Sequence, residues 1–123
     1  MKYIYRSCLM LALLIVVAPI QAQETSKKEK KSKYNTESFW VNSDCDMCKT
    51  RIESACDIKG VRSVLYDKDA FLLTVSYRPQ ILSLEEIHEA IARVGYDTSL
   101  RKASDEAYQN LPDCCQYDRK KQK

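Results

Sequence analysis

Cys45 and Cys48 stand three residues apart in the stretch Asn42-Ser43-Asp44-Cys45-Asp46-Met47-Cys48. Two soft sulfur donors at that spacing close on one soft metal ion when the chain begins a helix between them. A helix N-terminus favours the thiolate, which is the form that binds metal. The same pair suits thiol–disulfide exchange in the thioredoxin manner, so two chemistries start from these residues. Asp44 directly precedes Cys45. As a ligand its carboxylate hardens the site and favours zinc or cadmium over linear two-thiolate binding of copper(I) or mercury(II). As a loop residue it faces solvent or caps the helix.

Four further cysteines need an account: Cys8, Cys56, Cys114 and Cys115. Cys56 lies eight residues beyond Cys48, about 12 Å along a helix, too far to share an ion. It falls on the inner stripe of that helix and reads as a core thiol. Cys114 and Cys115 follow Pro112 in a polar tail. They add thiolates to the Cys45/Cys48 ion, form a separate site or disulfide, or simply stabilise the tail. An odd number of cysteines after the leader means that not all of them pair within one chain.

Met1 to about Ala22 reads as a secretory leader. Lys2 and Arg6 form its charged start, Leu9 to Val17 its apolar run, and Gln21-Ala22-Gln23 a cut site. The apolar run is about a dozen residues, short of the roughly 20 needed to span a bilayer. Cys8 leaves with this segment. Residues 23–36 are a polar linker with Lys27, Lys28, Lys30, Lys31 and Lys33. The 123 residues hold 20 Lys and Arg against 17 Asp and Glu. Without Lys2 and Arg6 the remainder is nearly neutral, which argues against nucleic acid as a partner. Two glycines in all exclude a phosphate-cradling loop. No nucleophile–base pair or carboxylate cleft stands out, so a non-enzyme is expected.

The elements that position the cysteines follow from periodicity. Glu37 to Val41 reads as a first strand and Asp46 to Asp57 as a helix with Cys48, Ile52, Ala55 and Cys56 inward. Gly60 closes it. Val61 to Asp67 and Ala70 to Tyr77 are strands around a polar turn at Asp67-Lys68-Asp69. Phe71, Leu73, Val75 and Tyr77 share a face. Ser83 and Glu86 form a capping box for a second helix with Leu84, Ile87, Ile91 and Val94 buried. His88 sits off that stripe and reads as exposed. Tyr96 to Arg101 makes a last short strand. The order βαββαβ predicts an α+β ferredoxin-like sandwich: a four-stranded antiparallel sheet with two helices on one face. It spans 37–101, and a C-terminal tail, 102–123, follows. Within the tail, Ser104 caps a short helix that runs to Leu111.

Cys45-x-x-Cys48 with Ile52-Glu53, Gly60-Val61, Val75-x-Tyr77-x-Pro79, Ala90-Ile91 and Gly95-Tyr96 resembles the heavy-metal-associated domain. That family includes copper chaperones, the periplasmic mercury-binding protein and N-terminal modules of metal-pumping ATPases. The resemblance implies a ferredoxin-like fold that binds one soft ion, such as copper(I), mercury(II), zinc or cadmium, and hands it on by ligand exchange. It implies Cys45 and Cys48 as ligands, with Tyr96 packed beside the loop and tuning it. It also implies a metal transporter or efflux protein as partner. Ser43 stands where the family usually has Met, and Asn42 where Gly is common. These departures point to a looser or differently packed loop. With the leader, the expected location is outside the cytoplasm, in a periplasm, with the membrane involved only through the leader. Thiol–disulfide exchange is the alternative, and a partner-docking module whose loop senses metal is a third reading.

Overall fold

In the computed structural model residues 32–120 are described. The expected leader at 1–22 and the linker as far as residue 31 lie outside them. Three strands and three helices follow in the order β1 (Asn35–Trp40), α1 (Asp46–Ala55), β2 (Val61–Asp67), β3 (Leu72–Tyr77), α2 (Leu84–Arg93) and α3 (Asp105–Gln109). A single 3₁₀ turn, Asp113–Cys115, closes the tail.

Alternation builds the sheet. In β3, Leu73, Val75 and Tyr77 are buried, and the residues between them are not. β3 is central, in the order β1-β3-β2, and pairs antiparallel with both neighbours. The registers run from Asn35↔Tyr77 to Trp40↔Leu72 on one side and from Val61↔Tyr77 to Asp67↔Leu72 on the other. Leu73, Val75 and Tyr66 share one core with Ile52 of α1 and Ile87 and Ile91 of α2, so both helices cover the same sheet face. Ile52, Ile87 and Ile91 are fully buried. Truncating one to Ala costs about 2–5 kcal/mol.

The expected capping box is present: Ser83 Oγ accepts from Glu86 N, and the Glu86 carboxylate accepts from Ser83 N at 2.8 Å. That bond holds the Glu86 carboxyl below its ordinary range.

The first strand runs Asn35–Trp40 rather than Glu37 to Val41, and so takes in the last two residues of the expected linker. Four further expectations are corrected. The sheet has three strands rather than four. Residues 96–101 make a single bridge, Val41↔Thr98, and then curl back. Thr98 N donates to Arg101 O at 2.7 Å, and Thr98 Oγ1 accepts from Arg101 N at 3.0 Å. The groups that would extend a ladder are spent within four residues. Second, β3 begins at Leu72 rather than Ala70, because Phe71 sits in the turn with φ +53°. Asp67 Oδ1 accepts from Asp69 N and Ala70 N and tightens that turn. Third, α1 ends at Ala55, with Cys56 as its cap. Fourth, His88 is buried, 1% exposed. It stands four residues after Leu84 and three before Ile91, within the inward stripe. Its ring lies 3.8 Å from that of Phe39, and Nδ1 lies 2.6 Å from Thr98 Oγ1. Burial, with the Arg101 charge adding to it, lowers the His88 pKa to about 4.

The tail packs on the domain. Ser104 Oγ caps α3 by accepting from Ala107 N. Leu111, Cys115 and Tyr117 join the core. Gly95, at φ +107°, lets α3 approach: a Cβ there would sit 2.7 Å from Ala107 O and 2.9 Å from Leu111 Cγ. Among the described residues no helix is long and apolar enough to cross a membrane.

Candidate metal centre

The loop that carries the thiols leaves the end of β1 and is pinned before it reaches α1. Val41 N donates to Phe71 O at 3.0 Å, and Asn42 N to Asp97 O at 2.9 Å. Ser43 is buried. Tyr66 donates its only hydroxyl proton to Val41 O at 2.8 Å, so the 2.7 Å contact with Ser43 is a bond from Ser43 Oγ to the phenol oxygen. Burial pushes the Tyr66 hydroxyl up to about 12, against the opposing effect of the Ser43 bond. The position where the family usually has Met is thus filled by a hydroxyl pair, Ser43 with Tyr66, and the loop is differently packed rather than loose. Asn42 Nδ2 donates to Asp118 O at 3.0 Å and ties the loop to the tail.

Cys45 is the N-cap residue of α1, with extended backbone and no capping bond from its side chain. Its sulfur is therefore free to face Cys48 in the first turn, and the two Sγ atoms are 3.1 Å apart. Cys115 Sγ lies 3.5 Å from Cys45 Sγ. All three sulfurs lie within 4.8 Å of one another. The thiols are free. Cys48 and Cys115 are fully buried, and Cys45 is half-buried, so the group opens to solvent on the Cys45 side. Sulfurs bound at about 2.3 Å around a tetrahedral centre sit about 3.8 Å apart, which small side-chain shifts reach from these positions.

The remaining candidates lie around this trio. Asp44 is exposed and is not one of the three grouped residues. Cys114 is exposed, with its sulfur 3.9 Å from that of Cys115 but outside the group. Cys56 is buried in the core, and burial, reinforced by the Glu53 charge, pushes its thiol up to about 12. Tyr96 is fully buried beside the thiols of Cys48 and Cys115, and its hydroxyl has no hydrogen-bond partner of good geometry. Burial, then those two thiols, raises its pKa far above the phenol range. Cys115 is pushed up to about 12 by burial and by the neighbouring Cys48 and Cys45.

Sequence reasoning missed the parts that hold the trio together. Lys68 spans the loop to Asp46, Nζ to Oδ1 at 2.7 Å. Lys49 donates to Tyr66 O at 2.7 Å. Tyr117 accepts from Asp97 N and donates to Gly95 O, both at 2.8 Å. Arg119 grips the Asp97 carboxylate with two bonds, at 3.0 and 2.8 Å. The alternation of β2 puts Val64 and Tyr66 on one face, and the structure buries Tyr66. Nothing local marked Tyr117 or Arg119, because their partners Gly95 and Asp97 lie 20 to 22 residues away.

Residues 38–97 match the family model described as the heavy-metal-associated domain. No curated protein sequence matches the chain. Among solved structures, the CopZ metallochaperone is 29% identical, with a TM-score of 0.50 over 52% of this chain and 98% of that one. The N-terminal domain of a potential copper-translocating P-type ATPase from Bacillus subtilis, in its Cu(I)-loaded state, is 27% identical. It has a TM-score of 0.52 over 58% of this chain and 92% of that one. Oxidized MerP from Ralstonia metallidurans CH34, at 22% identity and a TM-score of 0.52 over 54% and 94%, shares the fold.

Proposed function

We propose that this chain, whose residues 38–97 match the heavy-metal-associated domain model, captures one soft metal ion through Cys45 and Cys48 and passes it to a partner by thiolate exchange. The observation that carries this reading is the 3.1 Å approach of the two sulfurs at the start of α1. Copper(I) is the leading cargo, supported by the Cu(I)-loaded ATPase domain among the similar structures. The protein acts outside the cytoplasm, and its partner is a metal transporter or efflux protein. It is not an enzyme: it changes an ion's ligands and no covalent bond of a substrate.

Each thiol loses its proton when the ion binds, so acid weakens capture. Cys48 is buried and Cys45 half-buried, so an incoming thiolate from a partner meets the ion on the Cys45 side. Reduced protein titrated with copper(I) against a competing chelator is expected to bind one equivalent. Cys45→Ser/Cys48→Ser is expected to bind none, and retained stoichiometric binding in that variant would falsify the assignment. Thiol–disulfide exchange draws on the same sulfur separation. Insulin reduction at a rate comparable to a dedicated oxidoreductase, with weak metal binding, favours that reading instead.

A further inference from the structure

Resting on that reading, we propose that Cys115 is a third thiolate donor, so that Cys45, Cys48 and Cys115 hold the ion together beneath a docked tail. The three sulfurs already converge: Cys45 lies 3.1 Å from Cys48 and 3.5 Å from Cys115. Among the described residues they are the group of three metal-ligating side chains whose donor atoms lie within 4.8 Å of one another.

The placement of Cys115 is built, not incidental. Before it, Leu111 is buried against Gly95, whose missing side chain makes the room. After it, the Tyr117 hydroxyl bridges Gly95 O and Asp97 N. Arg119 then locks onto Asp97, which is 3% exposed at the side chain, and also donates to Ala103 O at 2.6 Å. Tyr108 Oη donates to Tyr117 O at 2.6 Å and braces the return from below. The chain is therefore fixed on both sides of Cys115, by apolar packing of Leu111 before it and by polar bonds of Tyr117 and Arg119 after it.

A second observation points to an anion at this spot. The Tyr96 hydroxyl is fully buried with no partner of good geometry, and a buried donor left so is unfavourable. The thiols beside it are Cys48 and Cys115. A thiolate accepts a hydrogen bond more strongly than a thiol, so in the loaded state the phenol gains an acceptor for its one O–H. Loading releases three thiol protons to solvent for each ion, with no change in oxidation state. An ion that accepts three sulfurs is held more tightly than one confined to two, and its transfer requires Cys115 to be displaced.

Copper K-edge X-ray absorption on the reduced full chain, loaded with one equivalent of copper(I), tests this. Three sulfurs at the metal are expected in the natural chain and two in Cys115→Ser and Cys115→Ala. Copper(I) affinity in those variants is expected to fall by at least about tenfold, the scale on which even outer partners of metal ligands act. Cys114→Ser is expected to keep three sulfurs. Two sulfurs in the natural chain, a measurement that needs no variant, overturn the proposal while leaving the Cys45/Cys48 reading intact. Loss of the third sulfur in Cys114→Ser, with Cys115→Ala unchanged, overturns it as well. Failure of the Cys45/Cys48 reading shows separately, as binding that survives loss of both those thiols.

Discussion

Two pairs of cysteines behave in opposite ways. Cys45 and Cys48 turn both sulfurs to one point, 3.1 Å apart. Cys114 and Cys115 are adjacent, yet one is exposed and the other fully buried. The first pair is organised locally: a spacing of three across a helix start puts two side chains on one side. The second is organised from a distance: Cys115 is inward because Tyr117, Arg119 and Leu111 dock the tail on Gly95–Asp97, and Cys114 is left outside. Proximity in sequence does not make a site. A shared face does, and for the tail that face is supplied by another part of the fold.

The comparison breaks most severely if the tail anchor is removed. Arg119→Ala strands the Asp97 carboxylate, which is almost fully buried. The expected loss is about 3 kcal/mol in urea unfolding. Native thiol alkylation should then reach Cys115, whereas in the natural chain it modifies Cys114 first. A variant with unchanged stability and a protected Cys115 would show that the tail is held by other means.

Acid loosens the turn that sends the chain from the domain into the tail. His88, under Thr98, has its pKa depressed to about 4 in the fold, and the unfolded imidazole titrates at the usual 6.5. Between those values the unfolded chain binds the extra proton. Stability from this group is complete above pH 6.5 and is lost as pH falls toward 4, up to about 3 kcal/mol in all. Unfolding at pH 7 and pH 4.5 measures it, and His88→Gln should flatten the difference.

Smaller effects sharpen the contrast. Ser83→Ala removes a local cap and should cost about 1 kcal/mol without exposing Cys115 to alkylation. Cys114→Ser touches an exposed side chain and should leave stability within about 0.5 kcal/mol. A larger loss there would mean that both tail thiols are structural.

Much was legible because it is local. The capping box at Ser83 and Glu86, β2 over Val61–Asp67, the inward faces of α1 and β3, and the cap at Ser104 all rest on residues within one or two turns of each other. His88 was misplaced because a polar residue on an apolar stripe is read as outward unless its partner is known, and that partner, Thr98, is ten residues on. The fourth strand was overcounted because β-propensity at 96–101 is real, yet Thr98 spends its bonding groups on Arg101.

By itself the sequence determined the Cys45/Cys48 pair and the helix that presents it, since spacing and apolar periodicity act over a few residues. Only the tertiary structure decided that Cys115 joins them and Cys114 does not. Cys45 and Cys115 are seventy residues apart, and no pattern of spacing reports a closure of that length. It is fixed by where buried donors and acceptors find partners, at Tyr117, Arg119 and Asp97, once the domain has folded.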